Sequence, residues 1–386
     1  MMKTDNLYKK IVEFIRIQFN TDEFIPLHAP VFRGREKEYL IDCINTGYVS
    51  SVGSYVTKFE KMCCDYVGIS YAVATVNGTS ALHTALHMLD VSSGDEVLTQ
   101  PLSFVATSNA IKYCGAVPVY VDVEKETFGM SPDSLSIFLK KYAEIDKQGN
   151  CINKSTGRKI KVCIPVHVFG HPVRIYDIVE ICKDYRIYVV EDCAESIGST
   201  VRGVHTGRFG KIGAFSFNGN KTITTGGGGM LVTDDEELAT RAKHITTTAK
   251  TPHKWEYIHD ETGFNYRLPN INAALGCAQM EELPKYINNK RELAKAYKDF
   301  FNDTEIDYFE EKQGYKSNYW LNAIIMKNES DRDEFLQYSN DKGVMTRPLW
   351  RLNNKLKMYE NCQHGSLDNA EWLESRVVNI PSSPRF

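Results

Sequence analysis

Between residues 71 and 246, short apolar runs rich in β-branched residues alternate with segments of helical period, and few folds accept that order. Strands are expected at Tyr71–Val76, Glu96–Thr99, Val117–Val121, Ile160–Val168, Ile187–Glu191, Gly213–Phe217 and Met230–Thr233. Helices are expected between them, at Ser80–Leu89, Phe104–Cys114, Pro132–Lys141, Ile175–Asp184 and Asp235–Thr246. Ser131 followed by Pro132 marks a helix start: a hydroxyl to cap the first amides, then a residue whose missing N–H costs nothing there. Strands separated by helices build a mostly parallel sheet covered on both faces, an α/β fold. Ligands of such sheets bind beyond the C-terminal strand ends.

The 386 residues suit two domains. After about residue 275 the alternation gives way to a charged helical stretch, Ala278–Phe301, and then to shorter mixed segments. The expected division is an N-terminal helical extension over 1–24, a large domain over 25–275 and a smaller C-terminal α/β domain over 276–386. Within the extension, Leu7, Ile11, Phe14, Ile15 and Gln18 suggest an amphipathic helix packed on the body of the protein. The polar stretch Glu144–Lys159 looks like an inserted hairpin or loop.

The charge balance, 46 basic against 49 acidic side chains for a net −3, gives nucleic acid and acidic membrane surfaces no electrostatic footing. No apolar run is long enough to span a bilayer. The N-terminus does not read as a signal peptide, because Lys9, Lys10, Glu13 and Arg16 interrupt any apolar core. The ten cysteines contain no Cys-x-x-Cys pair and no zinc spacing, so reduced thiols in a cytoplasmic protein without a metal are expected.

Three segments at expected strand ends carry chemistry. Asn77-Gly78-Thr79-Ser80-Ala81-Leu82 follows a strand and opens a helix. The amides of Gly78, Thr79 and Ser80, two hydroxyls and the helix dipole would cradle a phosphate, or the hydroxyls would simply cap the helix. Asp192 ends the apolar run before Cys193-Ala194-Glu195. A carboxylate near the interior needs a cationic or hydrogen-bonding partner; a protonated pyridinium nitrogen is one, and a helix cap is the plainer role. Lys221 lies in Ser216-Phe217-Asn218-Gly219-Asn220-Lys221-Thr222, just before Gly226–Gly229. A lone lysine among small polar residues suits an amine that forms a Schiff base with pyridoxal phosphate (PLP), or is a surface lysine before a flexible loop. Ser216 is placed to add a phosphate hydroxyl. The glycine run lacks the spacing of a dinucleotide fingerprint. His167 and His171 are four apart, but Gly170 and Pro172 argue against a helical metal pair, so His167 is expected to line a pocket or to satisfy a core hydrogen bond.

With these sites in this order, the chain resembles the PLP-dependent sugar aminotransferases of the DegT/DnrJ/EryC1/StrS family from about Ile25 to Pro384. Besides those segments, the runs Thr46-Gly47-Tyr48-Val49-Ser50-Ser51, Phe104-Val105-Ala106-Thr107 and Gly263-Phe264-Asn265-Tyr266-Arg267-Leu268 carry the likeness. The resemblance implies the type I aminotransferase fold, PLP as cofactor, L-glutamate as amino donor and a homodimer with shared sites. It implies that Lys221 holds PLP and moves the proton, and that Asp192 pairs with the pyridine nitrogen. Phe104 would stack on the ring, Glu195 would stand near the ring hydroxyl, and Gly78, Thr79, Ser80 and Ser216 would bind the phosphate. Asn265 would reach that phosphate from the partner subunit. His167, Asn218, Arg267 and Arg347 are candidate substrate contacts. The extension, the insertion and Phe217–Lys221 resemble the branch acting in legionaminic-acid biosynthesis, which aminates C4 of a nucleotide-linked (UDP or GDP) 2-acetamido-4-keto-2,6-dideoxyhexose. Branches that make perosamine and bacillosamine precursors are the near alternatives. A non-catalytic ligand-binding regulator on the same fold is a further one.

Overall fold

The computed structural model describes residues 2–386, with side chains from residue 6 onward. All seven expected strands form one sheet: β1 (Tyr71–Thr75), β2 (Glu96–Thr99), β3 (Val117–Tyr120), β4 (Ile160–Ile164), β5 (Tyr188–Asp192), β6 (Ile212–Ser216) and β7 (Gly229–Thr233), in the order β1-β7-β6-β5-β4-β2-β3. Every neighbouring pair is parallel except those made by β7, which runs against both β1 and β6. The sheet is therefore mixed through one reversed strand. That reversal places Gly229 opposite both Thr75 and Ser216. A Cβ on Gly229 would come within 2.4 Å of the Asn77 carbonyl oxygen, so the close approach there requires glycine.

The sheet is covered on both faces, as its continuous apolar strands require. On one side α4 (Gly78–Met88), buried along most of its length, joins a core with β1, β4, β6 and β7. On the other, α3 (Ser54–Val67) and the first half of α9 (Asn270–Phe301) enclose Phe59, Phe217, Cys277 and Leu283. The change of domain expected at 275 falls inside α9, one continuous helix of 32 residues. Its C-terminal half packs on a second, antiparallel sheet of β8 (Asp307–Tyr308), β9 (Asn322–Ile325), β10 (Arg347–Pro348) and β11 (Val377–Ile380), ordered β8-β9-β11-β10.

The N-terminal segment forms α1 (Met2–Phe19), whose Tyr8, Ile11 and Ile15 are buried with Tyr297, Phe301 and Phe335 against the smaller sheet. The insertion is a hairpin of Ala143–Ile145 with Cys151–Asn153. Asn153 ties it down by donating to Glu96 Oε2 and Gln363 Oε1, both at 2.7 Å. No helix of the described residues is long and apolar enough to cross a membrane.

Candidate active site

The C-terminal ends of β1, β5 and β6 open into a cavity of about 420 Å³. Gly78, Thr79, Phe104, Asp192, Glu195, Ser216, Asn218 and Lys221 all line it. Residues as far apart in sequence as 78 and 221 meet there because β1 and β6 flank the same reversed strand.

At one end stands the N-terminus of α4. Asn77 caps it, accepting from the Ser80 amide at 2.8 Å. The Ser80 amide is thus committed to the cap, and Ser80 does not reach the cavity wall. The Gly78 and Thr79 amides and the Ser216 hydroxyl remain beside the opening. A Cβ on Gly78 would lie 2.8 Å from Ser216 Cβ, so the cradle depends on glycine.

Asp192 forms part of the cavity wall and is 3% exposed. Its Oδ2 accepts from Thr107 Oγ1 at 2.7 Å and its Oδ1 from the Ala194 amide at 3.1 Å. Burial pushes its carboxyl above the ordinary value, against the pull of those donors and of the Lys221 charge. A carboxylate held this way gains from a cationic partner in the cavity.

Lys221 follows the end of β6. Its Nζ lies 3.2 Å from Glu195 Oε1 and 3.7 Å from the centre of the Trp320 ring. Glu195 is itself fixed: its Oε2 accepts from the Phe169 amide at 2.8 Å. Phe169 presents that amide from a left-handed backbone, φ 56°, a conformation unusual for a side chain branching at Cγ and common at functional sites. Burial raises the Glu195 carboxyl, while Lys221 and the Phe169 amide lower it. The Trp320 indole is anchored by donating to the Asn220 carbonyl at 2.6 Å.

The other expected contacts lie elsewhere. His167 is fully buried and donates from Nε2 to Glu191 at 3.1 Å, while its Nδ1 accepts from the Val173 amide at 3.2 Å. It satisfies a core hydrogen bond rather than lining the cavity. Glu191 also accepts from the amides of Gly207, Phe209 and Gly210. His167, Glu191 and Cys193 bring ligand-type atoms within 4.8 Å of one another, but those amides take up the carboxylate. Asn265 and Arg267 bond to each other on the exposed segment after residue 263, outside the cavity lining. Arg347 lines a neighbouring pocket.

Trp320, Trp350, Asn220 and Thr107 line the site without having been singled out from the sequence. The two tryptophans come from the C-terminal domain and nothing in their local pattern points to the cavity. The available signal was rarity: the chain has only four tryptophans.

The donor set fits PLP. A buried carboxylate, an amine beside it and a glycine-floored helix end with two hydroxyls match its ring nitrogen, aldehyde and phosphate in kind. Comparison with known proteins gives the same answer. The model of the DegT/DnrJ/EryC1/StrS aminotransferase family matches residues 31–386. The chain is 38% identical to a GDP-perosamine synthase of Escherichia coli O157:H7, over 94% of each protein. It is 32% identical to one from Vibrio cholerae, over 93% of this chain and 94% of that protein. The crystal structure of the aminotransferase TlmJ from Streptoalloteichus hindustanus superposes with a TM-score of 0.84 at 26% identity, covering 92% of this chain and 93% of that one. The chain therefore belongs to the DegT/DnrJ/EryC1/StrS aminotransferase family, the PLP-dependent aminotransferases of nucleotide-linked sugars.

Proposed function

We propose that this enzyme moves the amino group of L-glutamate to C4 of a nucleotide-linked 4-keto-6-deoxy sugar. The observation that carries the reading is the meeting of Lys221, Asp192 and the Gly78–Ser216 cradle in one cavity. The names of its relatives favour a perosamine-type acceptor over the 2-acetamido sugar of the legionaminic branch.

Bound PLP supplies an electron sink for the carbon that loses its proton. The protein's part follows from its geometry. Lys221 Nζ would anchor the cofactor, and as a free amine it would accept the proton from the α-carbon of the donor and pass it on. Glu195 and the Trp320 ring hold that amine in place between steps. Asp192 would keep a proton on the ring nitrogen. Phe104, 56% exposed and lining the cavity, would cover the ring face. Asn218 is the best placed of the candidate substrate contacts, because it lines the same cavity.

Asn265 does not line its own chain's cavity, and Trp255, Tyr257 and Ile258 of the preceding segment are exposed apolar groups. Both features support a homodimer in which Asn265 reaches the phosphate cradle of a second copy. The test of function is spectroscopic. L-glutamate should shift the PLP-loaded protein's absorbance to that of the aminated cofactor, and a GDP- or UDP-linked 4-keto sugar should restore it. Multiple turnover by Lys221→Ala would end the proposal.

A further inference from the structure

Behind the wall formed by Trp320 and Trp350 lies a second pocket of about 510 Å³. It shares Asn220, Trp320 and Trp350 with the catalytic cavity, so the two are continuous around the same side chains. The catalytic cavity receives one carbonyl carbon of the acceptor. The rest of the hexose must lie beside it.

The second pocket is lined mainly by apolar groups, with four polar exceptions: His28, Asn220, Arg347 and Asn379. Among the described residues, seven buried side-chain nitrogen or oxygen atoms have no hydrogen-bond partner. Three of the seven belong to residues that line this pocket: both ring nitrogens of His28 and Nδ2 of Asn379. Buried polar atoms are normally paired, and a cluster of unpaired ones on side chains that line a cavity marks a place where a ligand can complete the bonding.

These groups are rigidly held. The His28 segment is pinned on both sides, with the Ser382 amide donating to the Leu27 carbonyl at 2.7 Å and the Ala29 amide donating to Ser383 Oγ at 2.8 Å. Asn379 is on β11, directly opposite Arg347 of β10 and Ala323 of β9. Burial, and then the nearby amines of Lys290 and Lys221, keep the His28 ring neutral. A neutral imidazole offers one N–H and one lone pair, and the Asn379 amide offers N–H groups. That set matches a group that both donates and accepts. It gives a carboxylate or phosphate no charge to pair with; the exposed Arg347 guanidinium at the pocket's edge does.

We propose that this second pocket is the acceptor-sugar subsite, in which His28 and Asn379 hydrogen-bond uncharged hydroxyl or acylamino substituents on ring carbons away from the reacting carbonyl. The inference rests on the aminotransferase reading for the identity of the acceptor. The two substituents share one chemistry, and binding experiments tell them apart.

The test titrates the PLP-loaded protein with GDP-mannose, which carries a neighbouring hydroxyl, and with UDP-N-acetylglucosamine, which carries an acetamido group. Each is compared with bare GDP or UDP by the quenching of tryptophan fluorescence. One of the two sugars is expected to bind at least tenfold more tightly than its own nucleotide, and which one identifies the substituent. His28→Phe, and independently Asn379→Ser, should erase that excess. Both should leave binding of the bare nucleotide and the spectral response to L-glutamate as in the parent protein, and His28→Gln should recover part of the excess. No sugar-dependent excess in the parent protein overturns the proposal, as does an excess that survives both substitutions. A parent protein that shows the His28-dependent excess but no response to L-glutamate keeps the sugar subsite and overturns the amination instead.

Discussion

Lys221 Nζ stands 3.2 Å from Glu195 Oε1, and the two side chains are 12% and 4% exposed. A pair this dry is held mainly by its own geometry, because removing one partner leaves the other charge without solvent. Glu195→Gln keeps an acceptor for the Phe169 amide but removes the charge facing the amine. We expect this variant to fold normally and to react with L-glutamate at least about tenfold more slowly, a loss of about 1.4 kcal/mol in transition-state stabilisation. Stopped-flow absorbance of the donor half-reaction measures it. An unchanged rate would mean that Trp320 alone positions the amine.

Asp192 offers the next test, because its two oxygens have donors and its burial still raises its carboxyl. Asp192→Asn is nearly isosteric and keeps an acceptor for Thr107 Oγ1. The charge that would pair with the ring nitrogen is gone. The expected result is a cofactor that dialyses away more readily and turnover reduced by roughly a hundredfold or more. Retention of both at the parent level would remove Asp192 from the cofactor's ring.

His167 is expected to matter for stability and not for substrate. His167→Phe would strip Glu191 of one donor and leave the Val173 amide unpaired in the interior. Each orphaned buried group costs about 1–3 kcal/mol. Urea unfolding should therefore show a loss of that order, while the acceptor KM of the surviving folded protein stays within about twofold of the parent. A raised KM with unchanged stability would return His167 to the substrate site.

Two buried histidines make stability sensitive to acid. His171 is pushed down to about 3 by burial and by Arg291, and His205 to about 4, chiefly by burial. Both folded values lie below the ordinary 6.5, so the unfolded chain binds more protons and stability falls as pH drops below 6.5. His171 packs against Phe309 and Tyr319 and its ring nitrogens have no hydrogen-bond partner. His171→Phe should therefore change little at pH 7 and should reduce the loss between pH 6.5 and 5 by about 2 kcal/mol. Denaturant unfolding at the two pH values reads this directly, and an unaltered acid slope would contradict it.

The sequence carried the sheet well because each strand is a compact apolar run and each following residue set sits at a strand end. Lys221, Asp192, Gly78 and Ser216 were legible for that reason: each lies at or after the C-terminal end of one of three strands, β1, β5 and β6, that run in the same direction. What distance in the chain concealed was less accessible. The reversal of β7 was not apparent, since an antiparallel strand buried on both faces has the same composition as a parallel one. Trp320 and Trp350 reach the site by packing on Phe169 of the large domain, and no local pattern encodes that. His167 was drawn toward the site by its neighbours in sequence, whereas its partner, Glu191, is spent on three loop amides. The orphaned nitrogens of His28 and Asn379 are a property of packing and invisible to pattern.

Lys221 is the proposed carrier of the cofactor, and the chain contains a competing buried amine. Lys290 is wholly buried without a carboxylate partner among its hydrogen bonds, and burial pushes its amine well below its ordinary value, a property also expected of an amine that forms Schiff bases. It lies outside the cavity lining. The PLP-loaded protein should be reduced with borohydride, digested and analysed by mass spectrometry. The account predicts a pyridoxyl-phosphate mass on the peptide containing Lys221 and none on the peptide containing Lys290; an adduct on Lys290, or none on Lys221, would contradict it.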